Sequence, residues 1–251
     1  MRIRSILAAT AAVAGLAAPA AMAGETVTYQ IDGAAFEGYM AEATREAKGL
    51  VIVIHDWDGL TDYEVTRAEM LADMGYDAFA VDLYGQGNRP DTTEAKKEEV
   101  GKLYNDRETM RTRILAGLET ARRATGEGEA VVMGYCFGGA ATLELARSGM
   151  GEDISGYASF HGGLSTPDDQ DYSAVDAPVF IAHGGADTGI PNSQAAELAT
   201  RLEEAGKTYL LEIYSGAPHA FTVFGSSRYQ ETADTRSWES FSQMLDTAFS
   251  D

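Results

Sequence analysis

The sequence predicts an α/β domain, a doubly wound and mostly parallel sheet led by an N-terminal β-hairpin. Three observations predict it. Leu50–Ile54 (LVIVI) is an unbroken apolar run of strand length, rich in β-branched residues, as a strand buried on both faces requires. Further strand-like runs recur at Ala78–Asp82, Ala130–Gly134, Tyr157–Phe160, Val179–His183 and Tyr209–Tyr214, with helix-patterned segments between them. Before all of these, Thr26–Gln30 and Ala35–Ala41 flank an Asp32-Gly33 turn, which reads as a hairpin.

The helices carry their own signals. Thr61-Asp62-Tyr63-Glu64 is a capping box opening a helix that Gly75 stops. Pro90–Tyr104 is charged and helix-prone, and is expected to form an extra helix near the site. Arg107–Ala124 places Met110, Ile114, Leu115 and Leu118 on one face. Ala140–Arg147 ends at Gly149 and Ser193–Ala205 at Gly206. Glu231–Phe249 aligns Trp238, Phe241, Leu245 and Phe249 in one stripe. No linker divides the chain after residue 23, so residues 24–251 are expected to form a single domain.

Residues 1–23 read as an address. Arg2 and Arg4 precede an alanine-rich apolar run, and Ala21-Met22-Ala23 has the small–any–small form of a signal-peptidase site. The run is too short and too alanine-rich to span a bilayer well, and no cysteine follows it to carry a lipid. Cleavage after Ala23, a mature chain beginning at Gly24 and a periplasmic or secreted destination are expected. The formal charge of −20, from 19 basic and 39 acidic residues, becomes −22 without Arg2 and Arg4. Such a chain repels phosphate backbones and anionic lipid, so neither nucleic acid nor a membrane surface is an expected partner. It is read as a monomer.

The only cysteine stands in Gly134-Tyr135-Cys136-Phe137-Gly138, between a strand and a helix. Gly-x-nucleophile-x-Gly in that context is a nucleophile elbow. The thiol is thrust above the sheet, and the following helix turns its positive end toward the sulfur. On position alone, a small buried thiol remains an open reading. The partners decide. Asp187 follows the strand ending at His183, and His219 follows the strand ending at Tyr214. Nucleophile, acid and histidine in that order, each after a strand, match the α/β-hydrolase arrangement. The backbone N–H groups of Phe137 and Trp57 are the expected oxyanion donors. His55 is read as structural at a strand end. His161 and His183 are read as hydrogen-bonding loop residues, because no pair has zinc-site spacing. No metal or cofactor is expected.

With these residues identified, the chain resembles the dienelactone hydrolase family through VIVIHDWDGL, AVDLYGQG, GYCFGG, ASFHGG, AHGGAD and PHAFTV, in that order from Leu50 to Val223. The resemblance implies a cofactor-independent Cys–His–Asp triad that cleaves lactones and esters through an acyl-thioester. It also implies a carboxylate that touches the resting thiol; Asp56 occupies that place, one methylene shorter than the family's glutamate. Two family arginines that grip a substrate carboxylate are replaced by Gln86 and Val223, and Arg89 is out of register. A neutral, small ester or lactone is therefore the expected substrate, with Tyr84, Gln86, Arg89, Phe221 and Val223 as candidate pocket residues. A thioesterase or acyltransferase using the same triad is the alternative within enzymes. A non-catalytic periplasmic thiol or binding protein is the alternative outside them.

Overall fold

The computed structural model describes residues 24–250; the leader expected over residues 1–23 lies outside them. The hairpin is β1 (Glu25–Ile31) and β2 (Ala34–Ala41), joined by a two-residue turn in which Asp32 and Gly33 both have positive φ. The chain continues as β3 (Leu50–Ile54), α1 (Asp62–Asp73), β4 (Asp77–Val81), α2 (Thr93–Asn105), α3 (Arg107–Thr125), β5 (Ala130–Tyr135) and α4 (Phe137–Ser148). It ends as β6 (Ile154–Phe160), β7 (Val179–Gly184), α5 (Asn192–Glu204), β8 (Tyr209–Tyr214) and α6 (Glu231–Ala248).

The eight strands form one sheet in the order β1-β2-β4-β3-β5-β6-β7-β8. β1 and β2 are antiparallel, β2 joins β4 antiparallel, and every later pairing is parallel. The central strand explains its own composition. Leu50, Ile52 and Ile54 face one core with Met110 and Ile114 of α3, Leu143 of α4 and Leu198 of α5. Val51 and Val53 face the other, with Leu71 of α1 and Phe241 and Leu245 of α6. Both faces are covered, so no position of β3 can be polar. Each fully buried side chain of this size contributes about 1.5–3 kcal/mol.

The elements arise where expected, and their limits shift by at most a turn. One such shift bears on the site: α4 begins at Phe137 rather than Ala140. Glycine is a poor helix former, so Gly138 and Gly139 concealed the first turn in the sequence. Close packing requires them: a Cβ on Gly138 would lie 2.2 Å from the Ile54 carbonyl oxygen. The consequence is functional, because α4 now starts immediately after the cysteine.

Candidate active site

Cys136 is the N-cap of α4, at φ 52° and ψ −110°. This sparsely populated conformation costs on the order of 1–3 kcal/mol. Its neighbours hold it there: the Cys136 N–H donates to Phe160 O at 3.0 Å, and its carbonyl accepts the Ala140 N–H at 3.2 Å. A Cβ on Gly134 would lie 2.3 Å from Gly138, so strand and helix meet at the elbow without room for side chains.

Asp187 lies in the turn after β7. Its Oδ1 accepts the N–H groups of Gly189 (2.8 Å) and Ile190 (2.9 Å), and its Oδ2 faces His219 Nδ1 at 2.7 Å. A carboxylate accepts, so Nδ1 carries the ring proton. The lone pair of Nε2 is then directed at Cys136 Sγ, 3.1 Å away. Three residues far apart in sequence thus meet at the carboxyl ends of β5, β7 and β8.

The resting sulfur is protonated. Burial, then the charge of Asp56, push the Cys136 thiol up to about 12, against the opposing pull of the Phe137 N–H. The expected contact between Asp56 and the thiol is not seen as a hydrogen bond. Asp56 Oδ1 instead accepts the Asp58 N–H at 2.8 Å, and the shorter side chain acts on the sulfur through its charge. Burial raises Asp56 itself to about 6. Glu64, fully buried, clasps both ends of this loop. It accepts the Asp56 N–H at 3.3 Å and the Thr61 N–H at 2.8 Å, and burial together with Asp56 raises it to about 8.

The two expected oxyanion donors, Trp57 and Phe137, both line a cavity of about 290 Å³ that also exposes Cys136 and His219. Lys96 of α2 fixes the Trp57 loop, with its ammonium 2.8 Å from Asp58 and 5.3 Å from the Trp57 ring centre. The remaining wall was not assigned from the sequence. It comes largely from α2, as Lys97, Val100, Gly101 and Tyr104, with Gly163 and Ile190 completing it. The signal available was the helix-prone Pro90–Tyr104 segment; its periodicity does not say which face overhangs the thiol.

None of the five expected pocket residues lines this cavity. Tyr84 packs behind it, its hydroxyl donating to Trp57 O at 3.2 Å and its ring 6.0 Å from that of Phe137. Gln86 is exposed on a turn, its N–H bonded to Ala35 O. Arg89 is engaged by the carbonyl of Leu60, by Asn88 O and by Glu37. Phe221 is fully buried against His161 and Tyr214. Val223 lies in the turn beyond it.

The other histidines are structural. His55 donates from Nδ1 to Asp56 O (2.6 Å) and accepts the Leu83 N–H at Nε2 (3.1 Å), and burial lowers it to about 4. His161 pairs through Nε2 with Thr222 Oγ1 at 2.8 Å and meets the His219 ring edge-on at 5.3 Å. His183, expected to hydrogen-bond from a loop, is a β7 residue, because the strand runs on to Gly184, and its buried ring nitrogens have no hydrogen-bond partner among the described residues. Thr222 is also bonded by the Tyr63 hydroxyl at 2.6 Å, and its carbonyl accepts from Arg67 at 2.9 Å. Arg67, buried, pairs with Asp234 of α6. This clamp ties the loop carrying His219 to α1. Among the described residues, no group of three or more His, Cys, Asp or Glu is placed to hold a metal.

The profile of the dienelactone hydrolase family matches residues 36–249. The chain belongs to the dienelactone hydrolase family. Membership makes it an ester or lactone hydrolase on the α/β-hydrolase fold. It is 28% identical over 204 residues to a protein of Bradyrhizobium sp named as a probable 2-oxo-3-(5-oxofuran-2-ylidene)propanoate lactonase, covering 75% of this chain and 79% of that one. It is 26% identical over 212 residues to the carboxymethylenebutenolidase of Pseudomonas putida, covering 80% and 87%. A solved structure titled m3DLH superposes with a TM-score of 0.82 at 27% identity, covering 92% of this chain and all of that one.

Proposed function

We propose that the chain cleaves small, neutral carboxylic esters or lactones through Cys136, His219 and Asp187, without a cofactor. His219, oriented by Asp187, takes the thiol proton as the sulfur attacks the carbonyl carbon. The N–H groups of Phe137 and Trp57 stabilise the oxyanion. Collapse of the adduct expels the alkoxide, which takes the proton from His219. Water, activated by the same imidazole, then attacks the thioester and returns the thiol. Thiolate leaves an amide adduct more readily than an amine does, so amides are not expected substrates.

The supporting observation is the position of His219, 2.7 Å from Asp187 and 3.1 Å from the sulfur, beside an apolar cavity. Neutrality of the substrate is inferred from the apolar lining of the cavity and from the engagement of Arg89 by Leu60, Asn88 and Glu37. Lys97 is the only lysine or arginine in the cavity lining, and it is exposed. The test is hydrolysis of p-nitrophenyl acetate by the wild type and by Cys136→Ala, with intact mass to trap the acyl adduct. Equal rates in the two proteins would reject the nucleophile. An added acceptor alcohol separates hydrolysis from acyl transfer, and a thiol left unmodified by ester would favour a non-catalytic protein.

We further propose that residues 1–23 are an export leader and that the mature, monomeric domain works in the periplasm or outside the cell. The single thiol, held protonated, suits an oxidising compartment. Intact mass of the exported chain would begin at Gly24; retention of Met1–Ala23 would refute export by cleavage.

A further inference from the structure

Gly101 is the ninth of the thirteen residues of α2. Glycine inside a helix costs about 0.5–1 kcal/mol relative to alanine. The fold gives no reason for it here. Gly101 has ordinary helical backbone, and an added Cβ would meet no atom within 4 Å. Its position in the helix supplies the reason. Residues three and four apart share a helix face, and Lys97, Val100 and Tyr104 stand four before, one before and three after Gly101. All four line the cavity over Cys136 and His219. The glycine therefore keeps a side chain out of the space above the thiol.

We propose that Gly101 sets the size of the substrate, leaving room for an apolar, ring-sized group of the ester against Val100 and Tyr104. This rests on the hydrolase reading of Cys136. A cavity of roughly 150 Å³ holds benzene, so the 290 Å³ present here accommodates a ring beside the scissile ester. The chemistry of the wall agrees, since Trp57, Tyr104, Phe137 and Ile190 offer aromatic and aliphatic surface.

The experiment compares wild type, Gly101→Ala and Gly101→Leu. Two substrate pairs read the two sides of the scissile bond: p-nitrophenyl benzoate against p-nitrophenyl acetate, and phenyl acetate against methyl acetate. Removing ring-sized space from an apolar pocket is worth about tenfold or more, so in Gly101→Leu at least one bulky-over-small ratio of kcat/KM falls by that factor. Alkylation of the single thiol gives a readout independent of turnover. The rate with N-phenyl-iodoacetamide relative to iodoacetamide falls likewise. Gly101→Ala melts above the wild type. Ratios that stay within about twofold of wild type, inside the range of an ordinary surface change, overturn the proposal, as does a lower melting temperature for Gly101→Ala. If the wild type cleaves none of the four esters, the hydrolase reading falls instead, and the alkylation ratio still decides the question of space.

Discussion

Replacing Asp187 with asparagine changes one atom and reverses the role of the histidine. Asp187 Oδ1 accepts two backbone N–H groups, at 2.8 and 2.9 Å, while Oδ2 accepts the His219 Nδ1–H at 2.7 Å. In Asp187→Asn the remaining oxygen stays with the two N–H groups, because turning the amide would set donor against donors. The new NH₂ then faces Nδ1, which must give up its proton and accept. The proton moves to Nε2, which can no longer accept from a sulfur 3.1 Å away. The same substitution in a serine triad lowers turnover about 10⁴-fold, which corresponds to roughly 5 kcal/mol of barrier. The assay is steady-state hydrolysis of p-nitrophenyl acetate between pH 6 and 10, with circular dichroism to establish that the variant is folded. Residual activity should climb with pH, since the sulfur must then ionise unaided from about 12. A folded variant within tenfold of wild type would refute the assignment of Asp187.

Other substitutions test the surroundings of the triad. Asp56→Asn removes a negative charge that raises the thiol, so iodoacetamide should modify Cys136 faster than in wild type wherever Asp56 is ionised. Asp56 titrates at about 6, so the two rates should converge below that pH; curves parallel down to pH 5 would show that the charge of Asp56 is not the cause. Arg67→Met leaves Asp234 buried without its partner, and urea denaturation should report a loss of about 3–5 kcal/mol; a loss under about 1 kcal/mol, the level of an exposed pair, would place the clamp among dispensable contacts. Glu64→Ala strips the acceptor from the N–H groups of Asp56 and Thr61, at about 1–3 kcal/mol for each buried donor left unpaired. Its kcat should fall more than its KM rises, because the loop it holds carries Trp57; a change confined to KM would contradict that.

The fold and the meeting of Cys136, Asp187 and His219 were legible in the sequence because both are written locally. β3 is apolar at every position since two cores require it, and Cys136, Asp187 and His219 lie at the first, third and fifth residue after a strand, respectively. The pocket was not legible for the opposite reason. Which face of α2 overhangs the sulfur depends on how a charged helix docks, and Lys97, Val100, Gly101 and Tyr104 show no apolar stripe to announce it. Register reasoning pointed to Gln86 and Val223, but loops keep register only while their length and course are shared. Asp56 shows an intermediate case: the expected contact with the thiol is absent as a hydrogen bond, and its charge still raises the sulfur.

The sheet order has one further consequence. β8 is the outermost strand and pairs only with β7, so His219 is mounted at the edge of the sheet, whereas Cys136, after β5, is mounted at its centre. Margins fray before centres do. Mild heating is therefore expected to extinguish turnover while most of the spectroscopic signal of the folded sheet persists, and the Arg67 bridge to the opposite flank sets how wide that interval is.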